Sequence, residues 1–174
     1  MFLLAVKMAE KVKPVPDGVN TITPHLSVRE AAKAIEFYQQ AFGAQLTFLL
    51  KTPDGKVMHA TMKLGDSRFQ LGEELPGMNA PSPQKLGGSP IVLHICVENV
   101  DELWNRAVAA GAKVTMPLAN QFWGARYGQV LDPFGFTWAL FSHVEDVSPE
   151  ELKRRAVAAS AEVKKKAVAQ GIRT

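Results

Sequence analysis

Two histidines occupy the centres of two similar short segments, and imidazole is the side chain best suited to proton transfer near neutral pH. His25 lies in segment 22–30 and His94 in segment 91–99, so the two segments are offset by 69 residues. Each segment alternates apolar and polar residues, which predicts a β-strand with its histidine on the polar face. The same alternation holds around His59. We expect the three histidines to face a cavity, either as catalytic acid or base groups or as hydrogen-bonded wall residues.

Other polar and aromatic side chains share the predicted cavity side of these strands. In the first half of the chain, hydroxyl, amide and guanidinium groups alternate with apolar residues that should pack on a helix. Such groups can hydrogen-bond a small oxygenated molecule, and aromatic residues of the second half can form an apolar wall against it. The predicted ligand-binding residues are Thr23, Thr61, Arg68, Phe122, Trp123, Arg126 and Phe141.

A metal site is one use of this cavity face. His25, His94 and Gln70 carry nitrogen and oxygen donors there. Imidazole suits zinc, nickel or iron, and manganese is a further candidate. The pattern places no cavity-facing carboxylate near these residues. Two hypotheses therefore stay open, a divalent metal held by His25, His94 and Gln70, or a cavity that works without a metal.

The chain contains one structural unit twice, and this repeat predicts the elements that position the cavity residues. A one-sided apolar stripe follows each histidine segment, at 31–42 and at 100–108, which predicts two amphipathic helices. Gly43 and Gly111 come next, where a left-handed residue ends a helix, and three strand signals follow each of them. We expect an α+β fold in which two βαβββ modules form paired, curved mixed sheets around a cavity.

Composition divides the chain into five parts. We expect 1–19 to be a flexible segment, 20–75 the first module and 76–90, which is rich in proline and glycine, a linker. The second module then spans 91–147, and a basic helix spans 148–174. The helix begins with a serine, proline and glutamate start signal. Its apolar residues are expected to pack on the body: Leu152, Ala156, Val163 and Val168.

The basic balance of the protein belongs to one end of the chain. The 174 residues have a net charge of +3 and a pI near 9.0. Segment 148–174 holds seven basic against three acidic residues, whereas 1–147 holds thirteen against fourteen. The near-neutral body and the lack of aromatic residues among the basic ones argue against nucleic acid, and no apolar run is long enough to span a membrane. One cysteine, Cys96, is typical of a reducing, cytoplasmic protein.

Four motifs carry a resemblance to a known family. They lie at 34–44, 122–128, 132–138 and 143–146. Through them, residues 20–147 resemble the vicinal oxygen chelate superfamily, which contains glyoxalase I, the bleomycin-resistance proteins and extradiol dioxygenases, and more closely its PhnB-like branch. The resemblance implies βαβββ modules whose concave sheets form the binding site, and a homodimer. Two residues of these motifs carry specific expectations. Arg126 should pair with Asp132 or bind an anionic ligand, and His143 should cap the last strand.

The resemblance also implies a divalent metal, because metal-dependent relatives hold one with four ligands and use it as a Lewis acid. The corresponding positions here are Thr23, Gln70, Val92 and Ala139. Of these, Gln70 alone is an ordinary ligand type. Two functions remain for a glyoxalase-like protein that binds a small oxygenated molecule between its modules. One is a metal-assisted lyase, isomerase or dioxygenase-type enzyme that uses the three histidines. The other is a protein that binds and sequesters an antibiotic-like molecule without a metal.

Overall fold

Two βαβββ units follow one another in the computed structural model, which describes residues 12–16, 18–77 and 80–169. The first unit consists of β1 (His25–Val28), α1 (Ala31–Phe42), β2 (Gln45–Lys51), β3 (Val57–Leu64) and β4 (Ser67–Glu73). A short helix, α2 (Pro83–Leu86), lies in the predicted linker. The second unit consists of β5 (Val92–Cys96), α3 (Val100–Ala109), β6 (Lys113–Asn120), β7 (Ala125–Leu131) and β8 (Thr137–His143), and α4 (Pro149–Ala169) follows it. The α+β fold with paired modules is therefore confirmed.

The two sheets have the same topology. The strand orders are β1-β4-β3-β2 and β5-β8-β7-β6. In each sheet the first strand runs parallel to the last one, and the other neighbours are antiparallel. Register places His25 opposite Gln70 in the first sheet and His94 opposite Ala139 in the second. The repeat therefore places the two histidines at related positions of two separate sheets.

Helix α1 shows how local sequence fixes the ends of an element. Gly43 has φ 72° and its N–H donates to the Gln39 carbonyl at 3.0 Å, as predicted for a left-handed cap. At the other end, Glu30 has no side-chain cap of its own. The carboxylate of Glu73 instead accepts hydrogen bonds from the N–H groups of Glu30 and Ala31, at 2.9 and 2.8 Å. The end of β4 is thus fastened to the start of α1.

The helix-covered faces of both sheets belong to one core. Helices α1 and α3 pack against each other, and Trp138 of β8 lies against Tyr38 and Phe42 of α1, with ring centroids 5.5 and 4.8 Å apart. Arg106 of α3 donates to the Ala41 carbonyl at 3.3 Å. Because the helices occupy these faces, the histidines lie on the opposite face of each sheet.

Two strands differ from the sequence prediction. The apolar pattern predicts a short strand at 114–116 followed by a longer loop, but β6 continues to Asn120 because it pairs with β7 in a longer hairpin. Alternation also predicts Met58 on the packing face, and this is wrong, since Met58 is exposed. Register shifts between Leu50 and Lys51, so that Val57 pairs with Lys51 and takes the buried position instead.

The predicted linker is tied to the first module. The Ser82 hydroxyl is buried and donates to the Glu74 carboxylate at 2.6 Å, and the Ser27 hydroxyl of β1 donates to the Ala80 carbonyl at 2.5 Å. Ser82 also accepts a hydrogen bond from the Lys85 N–H and so caps α2. The segment after β4 is therefore held against β1 and β4.

Helix α4 begins where the start signal predicted, but of the first two residues expected to pack on the body only Ala156 is half-buried. The Ser148 hydroxyl accepts a hydrogen bond from the Glu151 N–H at 3.3 Å. Arg155 pairs with Glu145 at 2.7 Å, while Leu152 is exposed. The expectations for Val163 and Val168, and for residues 1–11 of the flexible segment, lie outside what the structure describes. Among the described residues, no helix is long and apolar enough to cross a membrane.

Candidate ligand-binding cavity

The open face of the second sheet carries a cavity of about 520 Å³. Three of its lining residues are aromatic and three are polar with ring or amide nitrogens. They are Trp123, Tyr127 and Phe141, and His94, Gln129 and His143. Strands β5, β7 and β8 and the turn before β7 supply them. We refer to this space as the aromatic cavity.

Sheet register explains how these side chains meet. Tyr127 pairs with Phe141, while Ala139 lies opposite both Gln129 and His94. Paired residues point to the same face of a sheet. Ala139 is fully buried, and its methyl group leaves room between the larger side chains on either side. Ala139, which the resemblance aligns with a metal-ligand position of metal-dependent relatives, thus forms part of the sheet beneath this face.

The rings form an angular wall. Trp123 stands edge-on to Tyr127, with centroids 5.7 Å apart and planes at 76°. His94 lies 6.0 Å from Phe141 and 6.1 Å from Tyr127. Trp123 is 38% exposed, so one of its surfaces remains open. Rings at these separations can hold a flat apolar body by stacking and edge contacts.

Polar atoms at the cavity wall are positioned to bind oxygen. Gln129 Nε2 donates to the Tyr127 hydroxyl at 2.7 Å, which leaves the phenolic O–H free to donate to a ligand. His143 Nε2 lies 2.8 Å from an Asp146 carboxylate oxygen. From the sequence, His143 was predicted to be a cap, and neither Tyr127 nor Gln129 was predicted to line the site. The alternation of Ala125, Tyr127 and Gln129 along β7 was the signal that could have found them.

The first sheet carries a different polar cluster on its open face. The rings of His25 and His59 stack, with centroids 5.7 Å apart and planes at 27°. The Thr61 hydroxyl lies 3.5 Å from His59 Nε2, and Gln70 is in register with both His25 and Thr61. Burial, and to a smaller extent the charge of His25, lowers the pKa of His59. His59 therefore favours the neutral form, which can accept a proton.

The three histidines do not form one cluster in a single chain. His94 lines the aromatic cavity, whereas His25 lines a cavity beside the linker. Within the described ranges, no group of three or more His, Cys, Asp or Glu side chains could hold a metal ion. The donor set of one chain thus does not fit a metal centre, and the metal set of His25, His94 and Gln70 stays a prediction.

Only some of the predicted ligand-binding residues lie in the aromatic cavity, and the others lie elsewhere in the structure. Thr23 donates to the Asn20 carbonyl at 3.2 Å. Phe122 packs edge-on against Trp123, with centroids 4.9 Å apart, and so supports that ring from behind. Arg68 lies in a second, smaller cavity. Trp123 and Phe141 lie in the aromatic cavity, and Thr61 lies beside His59.

Arg126 does not pair with Asp132, so that part of its prediction is wrong. Its guanidinium binds the Asp101 carboxylate through two nitrogens, at 2.6 and 2.7 Å, which lowers the pKa of Asp101. Asp132 is buried and instead accepts from the Tyr38 hydroxyl and the Trp138 indole N–H, both at 2.8 Å. Arg126 is already paired, which leaves less of its charge for an anionic ligand.

Comparisons with known proteins agree with this architecture. An uncharacterized protein of Mycobacterium bovis is 39% identical over 149 residues, which cover 84% of this chain and 94% of that protein. The structure is also similar to protein PA1353 of Pseudomonas aeruginosa (TM-score 0.60, 24% identity, 73% of this chain and 100% of that one). A Bacillus cereus PhnB protein, described as a putative 3-demethylubiquinone-9 3-methyltransferase, matches with TM-score 0.56 and 21% identity over 71% of this chain and 99% of its own.

These structural likenesses concern the fold. The family model described as Glyoxalase/Bleomycin resistance protein/Dioxygenase superfamily matches residues 18–140. That range runs from before β1 into β8, so it covers the first βαβββ unit and all but the end of the second. The superfamily-level resemblance drawn from the four motifs is thereby confirmed, and the chain belongs to the Glyoxalase/Bleomycin resistance protein/Dioxygenase superfamily.

Proposed function

We propose that the protein binds a planar, oxygen-bearing aromatic molecule in the aromatic cavity and holds it there without a metal. The observation that carries this proposal is the wall of Trp123, Tyr127 and Phe141 beside the polar groups of His94 and Gln129. Ligand sites of this kind are mostly apolar, and a few placed polar groups fix the orientation of the ligand. The single cysteine, Cys96, supports the cytoplasm as the compartment. A titration of the Trp123 indole signal with planar aromatic compounds tests the proposal.

The chemistry of the cavity selects the ligand class. Its rings favour a flat body that can lie against the open face of Trp123. The Tyr127 hydroxyl and the His94 imidazole supply hydrogen bonds at the wall, so a hydroxyl or carbonyl group on that body gains a partner. An aliphatic ligand of the same volume would lose the ring contacts, and a ring without oxygen would leave those polar groups unpaired.

We further propose that two copies of the chain pair and close the cavity. The open face of the first sheet exposes Phe48 (53%) and Leu50 (46%). The Phe48 ring lies beside the His59 ring, with centroids 6.0 Å apart, and Leu50 is the residue opposite His59 in the neighbouring strand. Exposed apolar side chains around a polar cluster are typical of a surface that another molecule covers. Family members of this kind often form dimers, and a second copy would bring His25 and His59 opposite the aromatic cavity.

The purified protein is therefore expected to have about twice the 19.0 kDa mass of the chain. Size-exclusion chromatography with light scattering measures this mass directly. Leu50→Glu places a charge on the apolar part of this face and is expected to shift the protein toward monomers. A matched exposed change on α4, Val157→Glu, should leave the mass unchanged. A wild-type monomer at micromolar concentration would contradict the paired arrangement.

An enzyme that uses His25, His59 and His94 for proton transfer is the second candidate. It is favoured by the lowered pKa of His59 beside His25, since a neutral imidazole near a substrate can act as a base. In the paired arrangement the same group would face a ligand in the partner's cavity. Turnover of the bound compound that is lost in His59→Asn, while binding persists, would favour this candidate over sequestration.

Removal of metals separates the two hypotheses about the cofactor. We expect the dissociation constant of a bound aromatic compound to be the same before and after treatment with a chelator, because the aromatic cavity binds through rings and hydrogen bonds alone. Isothermal titration calorimetry measures it, with elemental analysis of the same samples. A stoichiometric divalent metal whose removal weakens binding tenfold or more would favour the metal set of His25, His94 and Gln70 instead.

A further inference from the structure

A second cavity, of about 220 Å³, lies at the seam between the modules. The segment before β1, the turn between β3 and β4, and strand β5 enclose it. Its apolar wall includes Trp138 and Phe69, whose ring centroids are 5.9 Å apart. Two basic side chains, Arg68 and His94, also line it, and no acidic residue is among those that line it. We refer to this space as the seam cavity.

Arg68 brings a positively charged guanidinium to the wall of the seam cavity. Its guanidinium forms no hydrogen bond or ion pair with any residue of the described ranges. The backbone of Gly18 lies against it so closely that a Cβ there would come within 2.7 Å of a guanidinium nitrogen. A half-buried guanidinium beside apolar rings loses hydration, and a carboxylate restores the lost interactions with two parallel hydrogen bonds.

The other polar groups at the seam do not supply that partner. The Ser67 hydroxyl donates to Asp66 at 2.8 Å, and the backbone carbonyl of Asn20 accepts from Thr23 at 3.2 Å. Neither residue forms a hydrogen bond with Arg68. Within the described ranges no side chain supplies an acceptor to Arg68, and the space beside Trp138 and Phe69 can take the apolar body of a ligand that carries one.

We propose that the seam cavity binds a small monocarboxylic acid with a compact apolar body. The carboxylate pairs with Arg68, and the body packs against Trp138 and Phe69. This site is separate from the aromatic cavity, although His94 borders both. The proposal does not depend on the proposed function, since it involves a different ligand class and a different tryptophan.

Benzoate and its neutral analogue benzamide test the proposal, with the full-length protein labelled with ¹⁵N. The indole N–H signals of Trp138 and Trp123 report the seam cavity and the aromatic cavity separately. We expect benzoate to shift the Trp138 signal saturably and benzamide to bind at least tenfold more weakly, because a charge-assisted hydrogen bond contributes at least that factor. Arg68→Gln should weaken benzoate about tenfold, and Arg68→Lys less. Arg154→Gln removes the same charge from exposed α4 and should change nothing.

Several outcomes would overturn the proposal. They are no Trp138 shift at millimolar benzoate, equal binding of benzoate and benzamide, and unchanged affinity in Arg68→Gln. A shift of Trp123 without Trp138 would overturn it as well, and would place the compound in the aromatic cavity. If Arg68→Gln failed to fold, the comparison of benzoate with benzamide on the wild-type protein would still decide.

Discussion

Replacing Asp132 with alanine is expected to lower the free energy of unfolding by about 3–5 kcal/mol. The Asp132 carboxylate accepts four hydrogen bonds. Its Oδ2 accepts from Tyr38 and Trp138 at 2.8 Å, and its Oδ1 from the N–H groups of Phe134 and Phe136 at 2.9 Å. Alanine leaves all four buried donors without a partner and opens a cavity. Urea denaturation followed by circular dichroism measures the loss.

Tyr38→Phe is the matched control for this result. It removes one of the four donors and keeps the ring, so the expected loss is about 1 kcal/mol. Burial and the charge of Asp132 raise the pKa of Tyr38 well above its ordinary value, so the hydroxyl remains a donor at any pH at which the protein is handled. A loss in Asp132→Ala no larger than in Tyr38→Phe would contradict the role given to the carboxylate.

Replacing Trp123 with alanine is expected to weaken the binding of a planar aromatic ligand about ten- to a hundredfold. The ring forms one wall of the aromatic cavity and presents an open face to it. Because the side chain is 38% exposed, the free energy of unfolding should change by about 0.5 kcal/mol or less. Isothermal titration calorimetry measures the affinity, and thermal unfolding measures the stability.

Trp123→Phe is the control for the ring itself. It keeps a smaller aromatic surface at the same place and should restore most of the affinity that alanine loses. Phe122 behind it loses part of its contact in both variants, since its ring lies 4.9 Å from that of Trp123. Equal affinities in wild type and Trp123→Ala would exclude this ring from the site.

The fold could be predicted from sequence because its signals are local and repeated. Each signal depends on a few neighbouring residues: the alternation of the strands, the one-sided apolar stripes of the helices and the glycine after α1. The same kinds of signal occur in both copies of the 69-residue repeat. Alternation also assigned the open face correctly for His25, His59 and His94. It failed at Met58, where a bulge shifts the register, because a one-residue slip moves a side chain to the other face.

The site was harder to predict because its partners lie far apart in sequence. Arg126 binds Asp101, 25 residues earlier, and the Asp132 carboxylate binds Tyr38, 94 residues earlier. Arg126 and Asp132 lie close together in sequence, but Arg126 pairs with Asp101 of α3 in the same module. Asp132 instead binds Tyr38 across the contact between the two modules. His94 groups with Tyr127 rather than with His25 because His94 and Tyr127 share the second sheet, whereas His25 belongs to the first.

The most direct test of the aromatic cavity is the indole N–H signal of Trp123 in the ¹⁵N-labelled protein. The signal is assigned with Trp123→Phe and followed against flat hydroxylated or carbonyl-bearing aromatic compounds and aliphatic compounds of equal volume. We expect at least one oxygenated aromatic compound to shift the signal saturably and the aliphatic compounds to leave it unchanged. Aliphatic and aromatic compounds of equal effect, or a Trp123 signal that no aromatic compound moves, would contradict it.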